Sequence, residues 1–84
     1  MAKVTLYSAD WCPFCVRAKR LLEGKNIPFT EINVDQHPGK REEMVAKTGH
    51  KTIPMIFINE QFIGGFSELS ALEQKGELDA LLSK

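Results

Sequence analysis

Cys12 and Cys15 are the only two cysteines in this 84-residue chain, set in the run Trp11-Cys12-Pro13-Phe14-Cys15. A structural disulfide stabilises most when it closes a long loop. This pair closes a very short one, and in a reducing cytosol such a bridge tends to be lost. Spacing and number therefore point to chemistry: one sulfur attacks a disulfide and the other displaces what the first has picked up. Zinc uses the same C-x-x-C spacing, but a structural site needs four ligands. Only His37 and His50 could join the cysteines, and neither stands at knuckle spacing from a partner. Both read as solvated loop residues, and no metal is expected.

Such a pair works when a helix N-terminus is aimed at the first sulfur. The first turn of a helix carries unpaired N–H groups and about half a positive charge, which favour thiolate over thiol. The flanking residues predict that arrangement. Val4-Thr5-Leu6-Tyr7 is β-branched and aromatic and reads as a strand, with Ser8 to Trp11 as a loop. A helix then opens at Cys12, with Pro13 in the first turn, where its missing N–H costs nothing. Phe14, Ala18, Leu21 and Leu22 share its apolar face, while Arg17, Lys19, Arg20 and Glu23 point elsewhere. Gly24 or Asn26 ends it, and Phe29 to Val34 forms a second strand, parallel to the first through a right-handed crossover. Within a βαβ unit the C-x-x-C spacing reads as a redox motif. Cys12 is expected to be exposed and attacking, Cys15 more buried, with the higher pKa and a resolving role. A lowered thiol pKa enlarges the thiolate population but weakens each thiolate as a nucleophile. For attack the two nearly cancel, so the advantage lies in Cys12 as a leaving group.

His37-Pro38-Gly39 opens a second helix running to about Thr48, with Glu42 and Glu43 early, Lys47 late, Met44 and Val45 on the buried face and Gly49 as the stop. Pro54 to Ile58 reads as a third strand, Asn59-Glu60 as a tight turn and Gln61-Phe62-Ile63 as its antiparallel return. Gly64-Gly65 breaks the strand, Ser67 reads as the N-cap of a helix through Leu72, and Leu78 to Leu82 forms a last short helix. The order β-α-β-α-β-β-α gives an α/β fold of the thioredoxin-like class, a four-stranded mixed sheet flanked by helices. Residues 1–84 read as a single domain, with no repeat, linker or low-complexity segment.

Composition narrows the function classes. Eleven basic residues balance eleven acidic ones, which gives no electrostatic reason to expect nucleic acid or an anionic membrane as partner. No apolar run approaches the roughly 20 residues that span a bilayer. Met1-Ala2-Lys3-Val4 runs straight into a strand without the apolar stretch of a secretory signal. A cytoplasmic monomer is expected.

At this point the sequence resembles the glutaredoxin family over its whole length. Three elements carry the likeness: Trp11-Cys12-Pro13-Phe14-Cys15, Thr52-Ile53-Pro54 and Gly64-Gly65-Phe66-Ser67-Glu68. The stretch Lys40-Arg41-Glu42-Glu43-Met44 is also similar to bacterial members of the glutaredoxin 3 type. The resemblance implies a glutathione site beside Cys12. Pro54 would be the family's cis-proline, presenting the backbone of Ile53 to an extended peptide. Gly64 and Gly65 would allow the backbone close to the ligand. The amides around Ser67, with Phe66 beside them, would hold the γ-glutamyl carboxylate, and Glu68 would accept from the ligand's amino group. Arg41 and Lys51 would meet the glycyl carboxylate, with Phe14, Thr52 and Trp11 on the rim. Two positions depart from the family pattern: Ala9 stands where many relatives carry Lys, and Phe14 replaces the usual Tyr.

The function so implied is a glutathione-dependent dithiol oxidoreductase that reduces protein disulfides and glutathione mixed disulfides, ribonucleotide reductase being one conceivable client. Two rivals are a redoxin of the same shape reduced by thioredoxin reductase and a module holding an iron–sulfur cluster between two chains. Gly64-Gly65 and the basic residues speak against the first. Pro13, where cluster-binding relatives usually carry Gly or Ser, speaks against the second.

Overall fold

A computed structural model describes residues 3–83, so the expectation for Met1 and Ala2 falls outside the described residues. Alternation decides the first strand. β1 (Val4–Ser8) buries Val4, Leu6 and Ser8 and leaves Thr5 and Tyr7 half-covered. Three further strands complete the sheet: β2 (Thr30–Asn33), β3 (Met55–Ile58) and β4 (Gln61–Gly64), in the order β2-β1-β3-β4. β1 runs parallel to β2 and antiparallel to β3, with Leu6 opposite Ile56. Asn59 and Glu60 join β3 to antiparallel β4, both at positive φ (52° and 68°). That pair of left-handed residues is what a two-residue hairpin requires.

The helices are α1 (Pro13–Gly24), α2 (Lys40–Thr48), α3 (Phe66–Gln74) and α4 (Leu78–Leu82). Val4, Leu6, Ile56 and Ile58 of the sheet pack with Ala18 and Leu22 of α1, Leu69 of α3 and Leu78 of α4. Each Leu or Ile buried there contributes about 1.5–3 kcal/mol, so this core fixes the position of the α1 N-terminus. Lys25 bonds Glu73 (3.0 Å) and Asp79 (3.4 Å), tying the far end of α1 to α3 and α4.

Local chemistry moves several boundaries. α1 buries Cys15, Ala18 and Leu22, whereas Phe14 is 51% exposed and lies off the core face assigned to it. β2 stops at Asn33, because the Asn33 side chain accepts from the Asp35 N–H (2.9 Å) and turns the chain into a short 3-10 helix, Val34–Gln36. α2 starts only after Gly39, which takes a left-handed φ of 82°. It buries Met44 and leaves Val45 half-covered. α3 is capped by Gly65, not Ser67. Glu68 reaches back to the Gly65 N–H (2.6 Å), the reciprocal half of a capping box, and Ser67 becomes the exposed second residue of the helix.

Candidate active site

The α1 N-terminus is built around a sulfur. Cys12 takes an extended conformation (φ −94°, ψ 107°) just before Pro13, and its Sγ accepts from the Cys15 N–H at 3.2 Å. Cys12 thus does what Ser or Asp does at an ordinary N-cap. On its other side the thiol donates to the Ile53 carbonyl at 3.4 Å. The Ile53–Pro54 peptide is cis, as the resemblance implied.

One expectation fails here. Cys12 is only 3% exposed, not an open surface residue. Ala9, Val34 and Ile53 close around both cysteines in a small second cluster. Cys12 nevertheless lies on the wall of a groove of about 540 Å³, which it shares with Trp11, Phe14, Arg41, Thr52, Ile53, Pro54, Gly65, Phe66, Ser67 and Glu68. Ionising the thiol removes the hydrogen that binds it to Ile53, so the same step that makes the sulfur reactive releases that contact. Cys15 is sealed, 1% exposed. Burial pushes its thiol up to about 12, and the bond to Cys12 adds to the rise.

Most residues assigned to the site meet at this groove; the buried Cys15 and the exposed Lys51 are not among those that line it. Arg41 does line it, with its guanidinium 5.7 Å from the ring centre of Trp11. Across the opening Phe14 stacks on Phe66 (6.4 Å between centroids), and Arg17 lies 5.5 Å from the Phe14 ring. The rim is therefore cationic and aromatic on both sides.

The two glycines also admit the protein's own atoms. Gly64 has φ +128°, and a Cβ there would stand 2.6 Å from Cγ and Oε1 of Glu68. At Gly65 a Cβ would meet the Pro54 carbonyl at 3.3 Å and His50 Nε2 at 3.4 Å. They let the protein's own Glu68 and cis-proline segment close up on the backbone.

His50 is the residue that sequence reasoning missed. It is half-buried and lines the groove rather than being a solvated loop residue. Its N–H donates to Thr48 Oγ1 (3.0 Å), its Nε2 pairs with Thr52 Oγ1 (2.9 Å), and its ring meets Phe62 edge-on at 5.4 Å. Only its place four residues before Pro54 could have drawn attention to it.

A dithiol whose first sulfur caps a helix on a thioredoxin-like sheet defines the site of a thiol–disulfide oxidoreductase. The glutaredoxin family model matches residues 4–63. The chain is 48% identical over 83 residues to a glutaredoxin of Pseudomonas aeruginosa, covering 99% of each. It is 48% identical over 82 residues to glutaredoxin 3 of Escherichia coli K12, covering 98% of this chain and 99% of that one. Its fold superposes on a buckwheat glutaredoxin–glutathione complex with a TM-score of 0.91 at 25% identity, over 95% of this chain and 76% of that one. The chain belongs to the glutaredoxin family.

Proposed function

We propose that this protein is a glutathione-dependent dithiol oxidoreductase of the cytoplasm. The observation that carries the reading is the Cys12 sulfur, which receives a helix N-terminal amide at 3.2 Å on the wall of a 540 Å³ groove. Cys12 attacks a glutathione mixed disulfide or a protein disulfide and keeps one half as its own mixed disulfide. A glutathione thiolate then releases Cys12, or Cys15 displaces the bound group and leaves a Cys12–Cys15 disulfide for glutathione to reduce.

Glutathione lies along the groove in this reading. Its cysteine backbone pairs with Ile53 beside the cis-proline. Its γ-glutamyl carboxylate meets the unpaired first-turn amides of α3, at Phe66 and Ser67. Glu68 offers its carboxylate to the amino group, Arg41 takes the glycyl carboxylate, and Thr52 and Gly65 line the path. The complex of the buckwheat relative with glutathione supports this choice of ligand. Disulfide-bonded and glutathionylated proteins are the other substrates.

The test is the glutathione-coupled reduction of a small glutathione mixed disulfide, run beside reduction by thioredoxin reductase. Turnover with glutathione is expected. Turnover with thioredoxin reductase alone would assign the protein to the other electron source.

A further inference from the structure

A polar cleft that shares no lining residue with the groove is lined by Asp10, Lys19, Glu31, Asn33, Gln36 and His37. It is organised around one carboxylate oxygen. Glu31 Oε2 accepts from Ser8 Oγ at 2.6 Å and from Lys19 Nζ at 3.0 Å. Ser8 is wholly buried at the end of β1, next to Ala9 of the cysteine cluster. A buried hydroxyl that holds an acid is a fixed anchor, not a casual surface pair. Lys19 stands four residues after Cys15 on α1, so the two share one helix face. The Lys19 ammonium is thereby fixed on Glu31, on the helix face that also carries Cys15.

We infer that Lys19, held by Glu31 and Ser8, is a positioning residue for the resolving sulfur: its ammonium stabilises the Cys15 thiolate as it forms and so speeds closure of the Cys12–Cys15 disulfide. The inference rests on the proposed resolving role of Cys15. The step it serves converts Cys15 thiol and the Cys12–glutathione disulfide into the Cys12–Cys15 disulfide and free glutathione. The Cys15 proton passes to solvent. The new S–S bond forms as the Cys12–glutathione bond breaks, and the departing sulfur takes the electron pair and a proton from water. Lys19 keeps its own proton throughout.

The other groups around Cys15 do not replace it. Cys12 raises the cost of ionising Cys15, and the Ala9 backbone amide lowers it. Tyr7 packs on the cluster, Val34 and Ile53 are apolar, and Asp10, whose Oδ1 accepts from Asn33 (2.6 Å), is negative. His37 shares the cleft. Lys19 is raised first by its bond to Glu31 and to a lesser degree by Cys15, and Lys19 in turn is a small lowering influence on the Cys15 thiol, whose rise is set by burial.

The experiment loads Cys12 with glutathione and follows its release by mass spectrometry in single turnover, from pH 6 to 10. Wild type, Lys19→Met, Lys19→Arg and Cys15→Ser are compared, with circular dichroism to establish folding. At neutral pH Lys19→Met is expected to close the disulfide about threefold to tenfold more slowly, the range for losing one partly screened charge near a thiol. Its pH–rate curve should move to higher pH, and Lys19→Arg should restore most of both. A Lys19→Met variant with the wild-type rate and pH curve would overturn the inference, as would failure of Arg to rescue a folded protein. If wild type releases glutathione no faster than Cys15→Ser, the resolving role of Cys15 fails instead, a separate and distinguishable result.

Discussion

The two sulfurs of the motif are three residues apart on one helix start, yet they inhabit different surroundings. Cys12 faces forward, on the wall of a wide groove with an amide donor behind it and a carbonyl acceptor beside it. Cys15 faces back, sealed at 1% exposure and pushed up to about 12. Nothing in the residue type distinguishes them; the difference is made by one helical turn. A helix N-terminus can face only one sulfur, and the next residue of the same face is carried into the core. In the proposed function this backbone geometry is what divides attack from resolution.

The sharpest way to break this division is to remove each sulfur. Cys12→Ser is expected to lose at least about a thousandfold in glutathione-coupled turnover, as removal of a nucleophile does. Cys15→Ser should keep reduction of glutathione mixed disulfides and lose closure of the intramolecular disulfide. Retained turnover in Cys12→Ser would reverse the assignment.

The front wall comes next. Gly64→Ala places a Cβ against Glu68 at a φ of +128°. Glu68 must then give up its bond to the Gly65 N–H, which caps α3. Strained φ costs about 1–3 kcal/mol and a lost cap about 1 kcal/mol. With roughly 4–8 °C per kcal/mol for a domain of this size, thermal unfolding should fall by roughly 8–32 °C. An unchanged melting temperature would show that the wall is not closed on its own glutamate.

The rear sulfur has its own signature in stability. The Cys15 thiol is raised from 9.0 to about 12 by folding. Below pH 9 it is protonated in both states and its contribution is complete. Between pH 9 and 12 the unfolded chain loses that proton while the folded one keeps it, so stability falls with rising pH, by at most about 1.4 kcal/mol per pH unit. Denaturant melts across this window should show the slope in wild type and a shallower one in Cys15→Ala. The smallest effect belongs to the rim. Trp11→Ala removes the ring under Arg41, worth about 0.5–1 kcal/mol at an exposed position. It should raise KM for the glutathione mixed disulfide while barely moving the melting temperature.

The features readable from sequence are those set by neighbours along the chain. Pro13 and the C-x-x-C spacing mark the start of α1, and the β-branched and aromatic run Val4 to Tyr7 marks β1, which extends one residue into the expected loop, to Ser8. Thr52-Ile53-Pro54 marks the cis bond through its resemblance to relatives. What was not readable depends on contacts made across the fold. Cys12 is buried because Ile53, forty-one residues away, bonds to it. His50 joins the groove through Phe62, on another strand. Lys51 does not line the groove although its neighbours His50 and Thr52 do. Ser67 loses the cap because Glu68 folds back to the Gly65 N–H across Gly64, where a Cβ would stand 2.6 Å from it.

The most direct measurement sets the two sulfurs against each other in one molecule. The reduced wild-type protein is treated at pH 7 with less than one equivalent of an alkylating reagent, digested, and mapped by mass spectrometry. The division described above predicts label on Cys12 with Cys15 untouched. Label shared equally, or found first on Cys15, would contradict it.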